Sequence, residues 1–461
     1  ATWSVRCRKK CRTRSAVARR SEGVKLLEQI RDTLRKHDQP LPLSVLGSAL
    51  EWTSEQRAVH GRLASFLRRQ PELWLSGGFV GEAKMRDWQR PKSLKSLRAL
   101  EFFSGIGGLR AAFHRACTLA GQSMDPSAMS EWVNIESSPL ANEVYSSNFH
   151  VPYEPLLPKD IRRVEQAEVE GADLWLMSPP CQPYTRMGLQ RDLEDRRAKP
   201  LLHLTELVPK LQQPPQAILL ENVVGFETSG SFQVLSQALC GAGMEVHQFS
   251  LSPLQLGIPN RRPRIYVLAC QSEHPIVHPL KTEFPGRSLD TAPNRQLVEY
   301  LQAEDIDAES TCVPERLLEL LWDQGQRWEV VTGQSTSSST FTSGYTTACY
   351  EAHRFGPLLA RDSEGLTGSR GEDARPRVLL GGRIQRLVEP GEDLRYFTTV
   401  ELLRLHGFSE HFQFPESVTQ HQRYKLIGDS ISVDVVAELL RYLLFEKTSL
   451  GANLRATSAK K

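Results

Sequence analysis

The chain has 461 residues, of which 40% are hydrophobic, enough apolar material for at least one full core, and this excludes a wholly disordered protein. No apolar run reaches the roughly 18 residues of a transmembrane helix, and the eight cysteines are scattered without a CxxC pair, which is typical of a reducing compartment. Residues 1–97 hold 21 Lys and Arg against 9 Asp and Glu, whereas the rest of the chain holds 36 against 45, so the attraction for phosphate is concentrated at the amino end.

The amino end predicts a basic arm and then a small folded module. Residues 1–20 carry eight basic side chains and no acidic one, so we expect a disordered arm, although Arg-rich, acid-free ends also occur in organelle transit peptides. Residues 21–90 predict three helices and a hairpin that turns at residues 76–78. This order resembles the winged-helix modules of RNA-binding proteins. A helical packing extension is the alternative.

Strands alternate with helices over residues 98–270, which predicts a doubly wound α/β sheet. A first strand at residues 99–103 leads into a glycine loop and a helix over residues 109–119. This is a Rossmann-like start, in which glycines let the backbone approach a ligand at the helix amino end. Glu136 follows the next predicted strand, where a carboxylate suits the hydroxyls of a ribose.

Cys181 follows two prolines after a buried strand, which places it in a stiff loop where α/β sheets bind ligands. Taken alone, such a cysteine is more often a structural thiol. Glu221 follows another strand, and Arg262 and Arg264 precede a further one. These four residues suit attack on cytosine. A thiolate adds to C6, a carboxyl group of raised pKa binds N3, and the arginines hold O2 and lower the pKa of the thiol.

Four ordered motifs between residue 99 and about residue 444 resemble those of the cytosine-5 methyltransferases. They are Phe103-Ser104-Gly105-Ile106-Gly107-Gly108, Pro179-Pro180-Cys181-Gln182, Glu221-Asn222-Val223 and Arg262-Pro263-Arg264. The resemblance implies a Rossmann-like fold with S-adenosylmethionine as methyl donor and no metal. It implies Cys181 as nucleophile, Glu221 as partner of N3, and Arg262 and Arg264 as supports of the flipped base. The residues that it places at the cofactor are Phe103, Gly105, Ile106, Gly107, Gly108, Glu136, Asp160, Ile161, Ser178 and Ser430.

Within that family, residues 141–145, 180–186, 256–260 and 341–345 resemble the tRNA-directed branch, whose members modify a cytosine in the anticodon loop of tRNA-Asp. The resemblance therefore implies methylation of tRNA, at position 38. Two residues depart from the pattern of the branch. Thr340 stands where the branch has Cys, and Asp429 stands where it has Asn and adds a charge beside the cofactor, which would lower donor affinity.

Two other functions compete with this one. The first is a DNA (cytosine-5)-methyltransferase with the same chemistry, and the second is a non-catalytic RNA-binding protein. We expect a monomer that binds tRNA, with DNA as a possible substrate and no membrane contact. We place it in the cytoplasm or the nucleus, with organelle targeting as the alternative.

The rest of the chain predicts supporting regions. Residues 191–197 are charged and predict a mobile flap over the site. Residues 271–390 predict a smaller target-recognition domain with a helix over residues 314–322. In that domain Tyr345, Tyr350 and Arg354 are candidate nucleic-acid contacts, or its aromatic residues pack a small core. Residues 391–448 should complete the catalytic domain and its cofactor pocket, and residues 449–461 predict a disordered tail.

Overall fold

The computed structural model describes most of the chain from residue 97 to residue 447. The described ranges are 97–122, 131–149, 158–185, 191–272, 275–285, 294–302, 327–347, 356–360, 378–380, 383–387 and 393–447, with scattered residues at 25–82 and 306–318. The predicted basic arm and the predicted carboxyl-terminal tail lie outside the described residues. Within these ranges no helix is long and apolar enough to cross a bilayer.

A six-stranded sheet forms the centre of the molecule. Its strands are β1 Arg98–Phe102, β2 Glu131–Ile135, β3 Leu174–Met177, β4 Ala217–Val223, β5 Met244–Leu251 and β6 Arg264–Gln271, and they lie in the order β2-β1-β3-β4-β6-β5. The first four are parallel, as the alternation of strands and helices predicts.

The far edge of the sheet differs from a simple parallel arrangement. Strand β6 runs antiparallel to both of its neighbours, with Arg264 opposite Val223 of β4 and Leu251 of β5. Only residues 252–263 join β5 to β6, and a connection without a crossover helix returns the chain antiparallel. The sequence did not predict β5. The result is a mixed α/β sheet in which the start of β6 lies at the same end as the carboxyl ends of β1, β3 and β4.

Seven helices of eight or more residues occur in the described ranges. They are α1 Gly108–Leu119, α2 Pro139–Asn148, α3 Lys199–Leu207, α4 Gly230–Gly241, α5 Thr399–His406, α6 Gln420–Gly428 and α7 Val433–Tyr442. Thr398 caps α5, because its side chain accepts a hydrogen bond from the Glu401 amide. Helix α7 packs along α1, so residues 433–442 return to the central sheet.

The central sheet has an apolar core on each face. In β1, Ala99 faces the core that also contains α1 and α7, whereas Leu100 and Phe102 face the opposite core. Strand β3 alternates in the same way and is buried along its whole length. A strand covered on both sides reads as a continuous apolar run, and this explains why β3 was visible in the sequence.

Two small sheets follow the central one. Their strands are β7 Arg327–Trp328, β8 Val330–Val331, β9 Leu358–Ala360, β10 Val378–Leu380, β11 Arg383–Leu387 and β12 Leu394–Arg395, in the orders β7-β11-β10 and β8-β9-β12. Of the helix predicted over residues 314–322, positions 315, 317 and 318 are helical and the last four residues lie outside the described ranges.

The amino-terminal region contains a further three-stranded sheet. The described positions from 25 to 34 are helical, and a helix at Leu43–Ala49 follows the short strand Leu41–Pro42. The predicted hairpin is confirmed, since Leu73–Ser76 pairs antiparallel with Phe79–Glu82, which also pairs with Leu41–Pro42. Strand Leu73–Ser76 lies against α4 of the central domain.

Candidate active site

The glycine loop begins with a strained residue at the end of β1. Phe103 has φ 56°, in the left-handed region that side chains other than glycine rarely adopt. Its amide donates to the Ile135 carbonyl, and its own carbonyl accepts from the Ser178 hydroxyl at 3.1 Å. These bonds bring the ends of β1, β2 and β3 together around one backbone turn, which lets the loop depart from the sheet at a fixed angle.

The glycines of this loop are needed for two different reasons. A Cβ on Gly107, whose φ is 88°, would lie 2.2 Å from the Phe149 ring, and one on Gly108 would lie 2.7 Å from Ile431. These two positions are therefore closed by packing. Gly105 has φ 53° but nothing within 4 Å of its Cβ position, so one side of the loop is open to a ligand.

Glu136 holds the loop from the end of β2. Its carboxylate accepts from the Gly105 amide at 3.0 Å and from the amides of Ser137 and Ser138 at 2.7 and 2.8 Å. The Lys159 amide donates to the Glu136 carbonyl, which brings the next predicted contact, Asp160, to the same edge. Hydrogen bonds from Arg162 lower the pKa of Asp160 to about 2, so this carboxylate is ionised, and the neighbouring Ile161 is buried.

Cys181 lies in a loop that is fixed from both sides. The Asn222 side-chain amide donates to the Pro179 carbonyl at 3.0 Å, and the Cys181 carbonyl accepts from the amides of Tyr184 and Thr185. Tyr184 is buried, with its ring edge-on to Phe226 at 4.9 Å. The role of Asn222 was missed, although an amide that follows Glu221 at a strand end was a visible signal in the sequence.

The segment after this loop is anchored at Asp192. The Asp192 carboxylate accepts from the Ser231 amide at 3.1 Å and hydroxyl at 2.7 Å, and also from the Gly230 amide, at the amino end of α4. A carboxylate at this position is stabilised by the helix dipole. These bonds hold Asp192 against α4, and Asp195 accepts a hydrogen bond from the Arg197 amide. The mobility expected of residues 191–197 stays a prediction.

Glu221 and Arg264 form a pair at the junction of β4 and β6. The Arg264 Nε atom lies 3.3 Å from Glu221 Oε1, and both side chains are largely buried. Burial raises the pKa of Glu221, and the charges of Arg264 and Arg262 act in the opposite direction. The net rise favours the protonated form of the Glu221 carboxyl group.

Arg262 lies beside this pair but is bound differently. It is 3% exposed, and its guanidinium donates to the carbonyls of Phe341, Gly428 and Ser430. Desolvation and the neighbouring Arg264 lower its pKa to about 9. Arg262 thus joins three distant segments of chain, and through Ser430 it reaches the predicted cofactor contacts.

The thiol of Cys181 lies among charged groups of both signs. Burial is the largest effect and raises its pKa; Arg264 and Arg262 lower it, whereas Glu221 and Asp429 raise it. The prediction that the two arginines lower this pKa has the right sign for their contribution. It is wrong for the net effect, because desolvation of the thiolate is larger.

The predicted target-binding residues have separate outcomes. Tyr345 is 1% exposed; its hydroxyl donates to the Pro357 carbonyl and accepts from the Phe397 amide. A nucleic-acid contact is therefore wrong for Tyr345, and the alternative, that aromatic residues pack a small core, is confirmed. Thr340 donates to the Arg261 carbonyl. Tyr350 and Arg354 lie outside the described residues.

A buried carboxyl group below the glycine loop was missed. Glu101 lies inside β1 and accepts from Tyr145, Trp132 and the Arg110 amide. Desolvation raises its pKa to about 7 despite these bonds. The guanidinium of Arg110 lies 5.3 to 5.9 Å from the centres of three aromatic rings, those of Trp132, Tyr145 and Phe149. The signal in the sequence was an acid within an otherwise apolar strand.

The sequence of the chain also matches a known protein family. Residues 97–444 match the family described as C-5 cytosine-specific DNA methylase. The resemblance predicted from residue 99 to about residue 444 is thereby confirmed.

Individual relatives agree with the family match. A Bos taurus protein named tRNA (cytosine(38)-C(5))-methyltransferase is 32% identical over 424 residues, which covers 76% of this chain and 100% of that protein. A Schizosaccharomyces pombe protein of the same name is 34% identical over 361 residues, covering 76% and 98%. The crystal structure of the S. pombe Dnmt2 methyltransferase superposes with a TM-score of 0.58 at 30% identity, again covering 76% and 98%.

Proposed function

Because the chain belongs to the family of C-5 cytosine-specific DNA methylases, we propose that it methylates C5 of a cytosine in tRNA, with S-adenosylmethionine as the donor. The target is position 38, in the anticodon loop of tRNA-Asp. The observation that carries the proposal is that Cys181, Glu221 and Arg264 meet at neighbouring strand ends, where Arg264 and Glu221 both act on the thiol. Relatives that match 76% of the chain carry the name of that tRNA reaction.

The residues around the glycine loop fit S-adenosylmethionine, which supplies an electrophilic methyl group. The open side of Gly105 admits a ligand against the backbone, and the Glu136 carboxylate beside it can accept from ribose hydroxyls. Gly107 precedes α1 without a side-chain cap, and in the first turn of the helix the Arg110 amide donates to Glu101. The residues proposed to hold the donor are Phe103, Gly105, Ile106, Gly107, Gly108, Glu136, Asp160, Ile161, Ser178 and Ser430.

The chemical role of Cys181 is addition to the ring. C5 of cytosine is a weak nucleophile until the thiolate forms a bond to C6. As the S–C6 bond forms, N3 takes a proton from the Glu221 carboxyl group, so no charge accumulates on the ring. After methylation, water takes the C5 proton as the S–C6 bond breaks and releases the thiolate, and N3 returns its proton to Glu221. The raised pKa of Glu221 suits this exchange of a proton at N3.

The two arginines have different roles in this proposal. Arg264 pairs with Glu221 and holds the O2 edge of the base. Arg262 supports the base indirectly, because its donors are directed to the carbonyls of Phe341, Gly428 and Ser430. It is a positioning residue that keeps the returning chain against the site.

The amino-terminal module adds affinity for tRNA. Its helix and strand order, with a hairpin whose second strand pairs with a short first strand, supports a winged-helix module. An anticodon loop already exposes unpaired bases, so extruding the target costs less than in a duplex. We propose that the enzyme acts as a monomer, and that DNA is the alternative substrate.

The test is methyl transfer from labelled S-adenosylmethionine to tRNA and to duplex DNA in parallel, with bisulfite sequencing of the tRNA. We expect label in tRNA at position 38 with the wild type and none with Cys181→Ala. The control is Cys312→Ala, which removes an exposed thiol from another part of the chain.

Three results would contradict the proposal. Label in DNA with none in tRNA would show that DNA, and not tRNA, is the substrate. Methylation that persists in Cys181→Ala would overturn the mechanism. Equal loss in Cys312→Ala would show that the effect is not specific to the thiol at the site.

A further inference from the structure

Three chemically competent side chains meet at the outer edge of the central sheet, far from Cys181. Glu245 and His247 lie on β5, and His278 lies on the segment that follows β6. Their ligand atoms, one carboxylate oxygen and two imidazole nitrogens, all lie within 4.8 Å of one another. We propose that Glu245, His247 and His278 form a binding site for a divalent transition-metal ion, with zinc as the best fit.

The backbone explains why these residues meet. Glu245 and His247 are two positions apart on a strand, so their side chains share one face. The segment with His278 pairs with β5 as an added parallel strand, since the Val246 amide donates to the Ile276 carbonyl and the His278 amide to the Val246 carbonyl, each at 2.8 Å. The Gln248 side chain also donates to the His278 carbonyl. Backbone pairing therefore holds both β5 and the segment with His278, which together carry the three side chains.

The side chains converge on one point. The Nε2 atoms of His278 and His247 lie 2.5 and 3.2 Å from the same oxygen, Oε1 of Glu245. The two imidazole rings stack at 4.2 Å with 7° between their planes. Ligands about 2.1 Å from a tetrahedral zinc ion lie roughly 3.4 Å from one another, so small rotations of the side chains are enough to admit an ion.

Burial and charge favour a metal over two protons. The side chains of His247 and Glu245 are 7% and 15% exposed, and two stacked imidazolium rings would repel each other in this environment. A metal ion leaves both rings neutral and still balances the carboxylate. Two imidazoles and one carboxylate are ligands that zinc accepts, and the 30% exposure of His278 leaves a path for entry and for a water ligand.

The position of the site predicts a structural role. Glu245 pairs with Cys270, His247 with Leu268 and Leu251 with Arg264, so four to six residues of strand, about 13–20 Å, separate these two ligands from the active end of the sheet. A bound ion would clamp the added strand to the sheet edge. It would stabilise the fold without touching the chemistry at Cys181.

The test is titration of the full-length, chelator-treated protein with ZnCl₂ by calorimetry, together with thermal unfolding. Thiols elsewhere in the chain also bind zinc, so the result is the difference between variants. We expect the wild type to bind one ion more than His278→Gln or Glu245→Gln, or to bind it at least tenfold more tightly. We expect the midpoint of unfolding to rise with Zn²⁺ in the wild type only. The affinity for zinc should fall as the pH is lowered, because protons compete with the metal ion for its ligands.

His421→Gln is the matched control, because His421 is an exposed histidine on α6. It should bind zinc as the wild type does, and His278→Gln should retain methyl transfer. Equal stoichiometry and affinity in the wild type, His278→Gln and Glu245→Gln would overturn the proposal. A stabilisation by zinc that persists in both variants would overturn it as well. His278 is partly exposed at a sheet edge and Glu245→Gln keeps the shape of the side chain, so at least one variant should fold.

Discussion

At the scale of single residues, ionisation at the site is set by burial as much as by neighbouring charges. The Cys181 thiol has a raised pKa although two arginines lie nearby, because desolvation and two carboxylates oppose them. One of these carboxylates, Asp429, departs from the sequence pattern that the resemblance implies. It is paired at 2.7 Å with Lys425, one helical turn earlier.

We predict that Asp429→Asn lowers the pKa of Cys181, because it removes a negative charge that disfavours the thiolate. The thiol should then react several-fold faster at neutral pH. The measurement is the rate of iodoacetamide alkylation at Cys181 against pH, followed by mass spectrometry. Glu416→Gln, which removes an exposed acid from the same part of the chain, is the control. An unchanged pH profile in Asp429→Asn would contradict the electrostatic role of Asp429.

Glu101 gives a prediction about stability and pH. Its pKa rises from 4.5 to about 7 on folding, so the folded state binds a proton that the unfolded state releases. Its contribution is fully present below pH 4.5 and is lost as the pH rises to about 7. The loss is roughly 3 kcal/mol in the free energy of unfolding.

We expect Glu101→Gln to flatten this dependence in denaturant titrations between pH 5 and pH 8. Glu206→Gln, an exposed acid on α3, should leave the slope as in the wild type. If the slope persisted in Glu101→Gln, another group would be its source.

At the scale of elements, the end of α6 is one contact between the catalytic and target regions. A Cβ on Gly428 would lie 2.3 Å from the Thr342 carbonyl carbon and 2.4 Å from the Ser343 amide. These are backbone atoms and cannot rotate away. The same turn supplies carbonyls to Arg262, so the packing of α6 and the position of the guanidinium depend on each other.

We predict that Gly428→Ala destabilises the protein by roughly 1–3 kcal/mol, because overpacking forces the two segments apart. Methyl transfer should fall further than stability alone explains, since the acceptors of Arg262 move. Thermal unfolding and initial rates measure the two effects. Gly333→Ala is the control, with its nearest atom at 3.4 Å. A Gly428→Ala variant with wild-type stability and rate would contradict this account.

At the scale of the whole molecule, charge is divided between two parts of the chain. The first 20 residues carry eight basic side chains and no acid, whereas residues 98–461 hold more acids than bases. The family match begins at residue 97, so the basic part lies outside the region shared with the family. Most of the long-range attraction for tRNA should therefore come from the amino end.

We predict that replacing the eight basic residues of positions 1–20 with Gln weakens tRNA binding and flattens its salt dependence. Each basic side chain that no longer neutralises a phosphate should reduce the slope of log K against log salt by roughly 0.7 to 0.9. A permuted arm of the same composition is the control, because it keeps charge and changes order. Binding isotherms at several salt concentrations measure the slope, and an unchanged slope would contradict a role of the arm in RNA binding.

The sequence by itself determined the chemistry and the class of fold. Cys181 behind two prolines, Glu221 after an apolar strand and the glycine loop are local patterns, and local patterns can be read without coordinates. The alternation of strands and helices similarly predicted the α/β sheet. A short apolar run bounded by prolines or glycines can be recognised as a strand, because the flanking residues mark where it begins and ends.

The tertiary structure decided what depends on distant segments. The antiparallel course of β6, the burial of Tyr345 and the net rise in the pKa of Cys181 all come from groups far apart in the chain. Glu245 and His278 are separated by 33 positions, so their spacing predicted no metal site. Burial and long-range contacts set the pKa values of side chains and decide which side chains from distant segments meet. The spacing of residues along one segment shows neither the burial nor the contacts.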